Sequence, residues 1–345
     1  GGIGTPAEYA VPGRGGRMPV HVAMAKPSRS KPVRGRRRPV VALPDTGIGK
    51  HPWFDGDPSV TVGASFRGVR IGGTNADLGD GVSDPLLGFL GALAGHGTFV
   101  AGIVRQSCPE ASILSIPVMT LDGVAVESEV HTALVLLLLR HVDSALAKNP
   151  DGIVDVLSLS LGYYPDPTDD PQEEHRFRLL FRRYCEWGVV VCAGSGNDAT
   201  RHPFYPAAFA DTNDPDPSHF PVPLLAVGAL NPGCRTTALF SNVGSWVRYL
   251  RCGASIVSTV PTTFRGGAQA TQVGIGPVAS VRSTIDPEDY TSGFGVWSGT
   301  SFSTPIVAAD AARGLLVATD LDVLDQKAQC VRADAARAAV AETAS

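Results

Sequence analysis

From Pro39 onward, short apolar runs rich in β-branched residues alternate with stretches whose apolar positions repeat at helical spacing. The runs are Val40-Val41-Ala42-Leu43, Ile113 to Val118, Ile153 to Leu161, Val189 to Ala193 and Leu224 to Ala229. Most are nearly continuous in apolar residues, the pattern of strands covered on both faces in a parallel sheet. Between them, Glu129 to Lys148 predicts a helix, and Phe177, Leu180, Phe181 and Tyr184 share one helical face just before Val189. Strand, helix, strand in succession predicts an α/β domain with a doubly wound, mostly parallel central sheet and helices on both faces. Ligands of such sheets gather outside the carboxyl ends of the strands. Asp45, Gly162 and Asn197 all fall just past an apolar run.

Composition changes the centre of this picture little and its ends more. With 345 residues, 43% of them hydrophobic and 18% charged, the chain can bury a large core and is expected to be folded through most of its length. Its formal charge of −4, from 29 Lys+Arg against 33 Asp+Glu, gives no basic footprint for nucleic acid or an anionic membrane. The longest purely apolar run, Ala133 to Leu139, is far short of the about 20 residues that span a bilayer. Residues 1–38 are rich in Gly and Pro. Lys26, Arg29, Lys31, Arg34, Arg36, Arg37 and Arg38 follow one another there without an acid, which predicts an extended arm or linker. The Ala-rich tail 320–345 predicts one or two peripheral helices, and Pro165 to Glu174 and Asp211 to Pro223 predict surface loops.

Six cysteines are scattered without metal-ligand spacing. Cys192 in an apolar run and Cys185 on a helical stretch are expected to be buried thiols, although the even count leaves disulfides open for an exported protein. The chain starts Gly1-Gly2, with neither Met nor a secretion-signal pattern, and is read as a processed or trimmed form. Together these features lean toward a cytoplasmic location, with secretion as the alternative.

Five segments carry candidate chemistry. Asp45 ends an apolar strand and precedes Thr46-Gly47, where a rigidly held carboxylate can accept a hydrogen bond from an imidazole. A plain turn aspartate fits equally well, and Asp-Thr-Gly also occurs in aspartic proteases, a reading that requires a homodimer here. His96 lies in Gly95-His96-Gly97-Thr98, at the start of a helical stretch, and its neutral imidazole suits proton transfer near pH 7. A capping or core histidine is the plainer reading. Ser301, in Gly299-Thr300-Ser301-Phe302-Ser303-Thr304-Pro305, falls near a helix N-terminus, as a nucleophile beside unpaired N–H groups or as a simple N-cap. Asn197 follows the run 189–193 through Gly194-Ser195-Gly196, and its amide can donate to an oxyanion without carrying charge. Leu157 to Gly162 forms an alternating strand ending in glycine, an edge on which an extended peptide can pair.

In this order the five segments resemble the subtilisin-like (subtilase) family of serine peptidases, whose chain order Asp, His, Ser distinguishes it from chymotrypsin-like and α/β-hydrolase triads. The resemblance covers roughly Pro39 to Leu316. It implies a subtilisin-like peptidase domain over 39–319, flanked by the arm 1–38 and the tail 320–345. It further implies Asp45, His96 and Ser301 as a catalytic triad, Asn197 in the oxyanion hole, and Ser160, Leu161, Gly162, Gly194 and Ser195 as substrate-binding residues. The implied partner is a polypeptide substrate, with a propeptide or inhibitor as a further possibility. No cofactor is needed for such chemistry; structural calcium belongs to the family, but no acidic loop here matches its sites, so no metal is assigned. The implied activity is an endopeptidase, with a catalytically silent binding protein or a peptide ligase on the same fold as alternatives. Three departures stand out. Phe99 replaces a second histidine, Pro44 precedes Asp45, and the interval from Asp45 to His96 is long, implying an insertion such as Phe54 to Phe89.

Overall fold

The computed structural model describes residues 5–30, 36–165, 171–213, 220–276, 280–317 and 320–342. Their strands are β1 (Met18–Pro19), β2 (Val40–Asp45), β3 (Val60–Val62), β4 (Ala64–Phe66), β5 (Val69–Ile71), β6 (Ser112–Pro117), β7 (Val156–Leu159), β8 (Val190–Gly194), β9 (Leu225–Leu230), β10 (Tyr249–Cys252), β11 (Ile256–Thr259), β12 (Val273–Ile275), β13 (Val281–Ser283) and β14 (Phe294–Trp297). The α-helices are α1 (His96–Ser107), α2 (Glu127–Leu146), α3 (Pro171–Glu186), α4 (Thr300–Leu316) and α5 (Gln326–Glu342).

Seven strands form one parallel sheet in the order β10-β9-β8-β7-β2-β6-β3. The chain enters at β2, runs out to the β3 edge, returns through β6, and then crosses β2 to build β7 to β10 outward on the other side. The direction of winding therefore reverses at β2, and a crevice opens at the carboxyl ends of β2 and its neighbours. Pro44, which has no N–H to give, lies beyond the point where β7 stops pairing with β2, since β7 registers only with Val41 and Ala42.

Side-chain alternation explains why the strands read as continuous apolar runs. Val41, Leu43, Val190 and Cys192 face a core shared with Val100 and Val104 of α1 and Val307 and Ala308 of α4. Ala42, Val191 and Ala193 face the opposite core, with Leu134 and Leu137 of α2 and Phe181 of α3. Both faces are covered, as the doubly wound fold requires.

Local chemistry shifts several expected boundaries. Helix α2 begins at Glu127, and Glu127 and Glu129 in its first turn suit the positive end of the helix dipole. Strand β7 is shorter than the run Ile153 to Leu161, spanning Val156 to Leu159, and the run is preceded by a 3₁₀ turn at 150–152 whose Asp151 N–H is taken by Asn149 Oδ1 at 3.1 Å. Of the expected loop Pro165 to Glu174, residues 166–170 lie outside the described residues, and from Pro171 the chain is already helical, with proline in the first turn, where its missing N–H costs nothing. Within Asp211 to Pro223, residues 214–219 also lie outside them.

Of the lead-in 1–38, residues 1–4 and 31–35 lie outside the described residues; within the rest, Pro6–Ala10 form a 3₁₀ turn and several of the basic side chains are paired. β1 pairs antiparallel with β14, Arg37 makes two 2.7 Å hydrogen bonds to Asp155, and Lys26 and Arg38 pair with Asp57 and Glu110. At the other end, α5 lays Ala333, Ala336 and Val340 into the α1/α4 core, so the tail contributes to the packing. Cys234 and Cys252 form a disulfide, whereas Cys108, Cys185, Cys192 and Cys330 are free, the first three of them buried. Among the described residues no helix is long and apolar enough to cross a membrane.

Candidate active site

Asp45 closes β2 and is buried. Its Oδ1 accepts the Thr46 N–H at 2.8 Å and lies 2.8 Å from Nδ1 of His96, the first residue of α1. The glycines around His96 have steric reasons. Gly95 adopts a left-handed φ of 83°, and a Cβ on Gly97 would sit 2.2 Å from the Gly47 carbonyl and 3.1 Å from Asp45 Oδ1. Only glycine lets the start of α1 approach β2 this closely. The Gly97 N–H in turn donates to Thr46 Oγ1 at 2.8 Å.

A second carboxylate, not singled out by the sequence reading, supports this helix start. Asp77 is fully buried and accepts the Gly95 N–H at 3.0 Å, the Thr98 N–H at 3.0 Å and the Thr98 hydroxyl at 2.6 Å. It thus satisfies N–H groups that the first helical turn leaves without carbonyl partners. Burial pushes its own pKa up to about 6, against the hydrogen bonds that hold it down. Burial also pulls the His96 pKa down, but the charge and hydrogen bond of Asp45, together with the charge of Asp77, outweigh this and the net direction is up. The His96 ring packs on Phe302 at 5.4 Å and meets Trp297 at 5.7 Å, close to edge-on.

Ser301 is the second residue of α4, so its N–H belongs to the turn that has no helical acceptor. Its Oγ donates to the Ser160 carbonyl at 3.2 Å, and Ser160 Oγ donates back to the Ser301 carbonyl at 2.8 Å. In this state the Ser301 hydroxyl is turned to the end of β7 instead of to His96. Asn197 Oδ1 accepts the Thr300 N–H at 2.8 Å and the Thr300 hydroxyl at 3.1 Å. The oxygen end of that amide is therefore committed, which leaves the nitrogen as the end able to donate.

One cavity of about 560 Å³ is lined by His96, Ser301 and Asn197 together with Ser160, Leu161, Gly162 and Gly194. Leu134, Phe177 and Phe181, from α2 and α3, give it an apolar wall. A larger cavity of about 890 Å³ shares Met119 with it and contains none of these candidate residues. Ser195 departs from expectation. Its N–H continues the β8 pairing by donating to the Val227 carbonyl at 2.8 Å, and its hydroxyl points inward to the Asn242 carbonyl at 3.3 Å. Gly196 lines the cavity in its place.

The sequence is similar to those of known proteins. Subtilisin NAT of Bacillus subtilis subsp. natto is 27% identical over 278 residues, 79% of this chain and 54% of that protein. Subtilisin of Bacillus pumilus is 27% identical over 278 residues, covering 79% and 74%. Serine protease AprX of Bacillus subtilis (strain 168) is 27% identical over 284 residues, covering 79% and 55%. The chain thus spans little more than half the length of several curated relatives. The crystal structure of a lanthipeptide protease superimposes with a TM-score of 0.50 at 18% identity, over 80% of this chain and 72% of that one, a likeness of fold. The sequence model of the subtilase family matches residues 36–333, and with 298 of its 345 residues so matched this chain belongs to the subtilase family.

Proposed function

We propose that this chain is a serine endopeptidase that works through an acyl-enzyme on Ser301, with His96 as general base, Asp45 as the carboxylate that orients it and Asn197 as an oxyanion donor. The observation that carries this reading is the buried 2.8 Å contact between Asp45 and His96, opening on a cavity that also holds Ser301 and the donor end of Asn197. Accepting at Asp45 fixes the proton on Nδ1 and leaves Nε2 with the lone pair. The Ser301 hydroxyl swings from the Ser160 carbonyl to Nε2, gives up its proton there and attacks the scissile carbonyl. Collapse of the tetrahedral intermediate breaks the C–N bond, and the same proton passes to the leaving amine. Water then repeats the sequence and releases the acid. The developing oxyanion is met by Asn197 Nδ2 and the Ser301 N–H, groups already fixed before reaction.

The substrate is a polypeptide lying extended along Ser160, Leu161 and Gly162, and a propeptide or inhibitor would use the same edge. None of these steps calls for a cofactor. Digesting an unfolded protein in ¹⁸O water tests the reading, because hydrolysis places the label in each new C-terminus. Ser301→Ala, folded by circular dichroism, is expected to lose at least about 10⁴-fold in rate. Unchanged cleavage by that variant contradicts the proposal, and products carrying an added amine in place of ¹⁸O identify a ligase.

A further inference from the structure

The cavity beside Ser301 is shaped by a residue that neither a catalytic role nor the sequence motifs single out. β7 and β8 are adjacent parallel strands, and their continuations, Ser160 to Gly162 and Gly194 to Asn197, form the two sides of a slot. On the endopeptidase reading, a carbonyl held between Ser301 Oγ and the Asn197 amide would direct the side chain just before the scissile bond into this slot. The ring of Phe204 lies across it. A Cβ built on Gly162 would be 2.4 Å from Phe204 Cε1 and 2.7 Å from Cζ, and a Cβ on Gly196 would be 3.1 Å from Phe204 Cγ. One ring therefore lies against the backbone on both sides; at Gly162 the ring and the Tyr205 carbonyl, 2.4 Å away, both exclude a Cβ, and at Gly196 the nearest obstacle is Asn242 Nδ2 at 2.3 Å.

The ring is also held in place. Tyr163 and Tyr205 exchange backbone hydrogen bonds of 2.8 and 2.9 Å, which ties the segment carrying Phe204 to the end of β7. Tyr164 packs on Phe204 with ring centroids 5.0 Å apart. The Tyr164 hydroxyl donates to Asp198 Oδ2 at 2.7 Å and accepts from Asn242 Nδ2 at 2.6 Å, joining the segments that follow the two sides of the slot. Asn242 is buried and its Oδ1 accepts the N–H groups of Asp198 and Thr200 at 2.9 and 3.2 Å, so this bridge is anchored.

We propose that Phe204 is the specificity-determining residue of this site: it floors the slot and restricts the position just before the cut to small side chains such as glycine, alanine and serine. The inference rests on the endopeptidase reading and narrows its substrate class. The test compares kcat/KM over a peptide series that differs only at that position, for the unaltered chain and for Phe204→Ala, with fluorophosphonate titration to count working sites. The unaltered chain is expected to favour alanine over phenylalanine by at least about tenfold, the scale on which a pocket discriminates size. Phe204→Ala is expected to gain at least tenfold on phenylalanine while its rate on alanine changes little. Mapping of cleavage sites in a digested unfolded protein gives the same answer from the unaltered chain alone, should the variant fail to fold. Efficient cleavage after phenylalanine or leucine by the unaltered chain overturns the inference and leaves the peptidase reading standing. An unchanged profile in folded Phe204→Ala overturns it as well. Absence of both labelling and cleavage in the unaltered chain overturns the peptidase reading and this inference with it.

Discussion

Ser160 and Ser301 are hydrogen-bonded to each other twice, the hydroxyl of each donating to the carbonyl of the other, at 2.8 Å from Ser160 and 3.2 Å from Ser301. Pro305 explains one half of this exchange. It stands four residues after Ser301 inside α4 and has no N–H, so the Ser301 carbonyl loses its helical partner and takes the Ser160 hydroxyl instead. The end of β7 and the start of α4, the proposed substrate edge and the helix of the proposed nucleophile, are thereby joined.

Removing that hydroxyl separates support from chemistry. Ser160→Ala leaves the Ser301 carbonyl without its donor in a partly buried place, which costs about 1 kcal/mol of stability. Urea unfolding is expected to show this loss, while kcat falls far less than in a variant lacking the oxyanion donor. A kcat loss of two or more orders of magnitude in Ser160→Ala would instead give Ser160 a direct part in the reaction.

If Asn197 is the oxyanion donor proposed above, Asn197→Ala removes a hydrogen bond to charge that exists only in the transition state, and kcat is expected to fall about 10²- to 10³-fold with KM little changed. Steady-state kinetics on a single peptide decide it. Equal effects on both parameters would mean that Asn197 binds the ground state.

His96 must be neutral to accept a proton, and its pKa lies above the usual 6.5 because Asp45 and Asp77 together outweigh burial. The acidic limb of kcat/KM against pH is therefore expected above pH 6.5, with activity rising toward the alkaline side. In Asp77→Asn one of the two negative charges is gone, so the limb moves to lower pH. An unmoved limb would show that Asp77 serves only to hold the start of α1.

His51 supplies an independent pH signature. It is buried among Trp53, Phe54 and Phe294, its Nδ1 accepts the Trp53 N–H at 3.0 Å, and burial holds its pKa down to about 4. The unfolded chain takes up a proton near pH 6.5 that the folded chain refuses, so stability falls as pH drops from 6.5 toward 4 and then levels off. Asp77 acts in the opposite direction: its raised folded pKa makes its contribution full below 3.8 and lost as pH rises through about 6. Denaturant unfolding at pH 7, 5 and 4 should therefore show a shallower acid loss in His51→Asn than in the unaltered chain. Parallel curves would contradict the assignment.

The candidate site was legible in the sequence wherever it depends on short local patterns. Asp45 at the end of β2, His96 between glycines, Asn197 beyond β8 and Ser301 ahead of Pro305 all sit within a few residues of the features that betray them; the structure places His96, Asn197 and Ser301 on one cavity and Asp45 behind it, 2.8 Å from His96. The two-sided burial of β2 and β8 was legible for the same reason. Asp77 was not, because it reaches Gly95 and Thr98 from a separate segment in the long interval between Asp45 and His96, where no periodicity marks it. Phe204 was hidden likewise, since only the Tyr163–Tyr205 pairing brings its loop to the end of β7. Ser195 was misplaced because β8 pairing with β9 runs one residue further than the glycines suggested, which turns its side chain inward.

The central claim is that Ser301 is an activated nucleophile, and fluorophosphonate labelling of the native chain beside Ser301→Ala and His96→Ala tests it most directly. Intact mass and peptide mapping are expected to show one adduct, on Ser301, absent from Ser301→Ala and strongly slowed in His96→Ala. Folded chain that takes no adduct, or takes it on another residue, would contradict the claim.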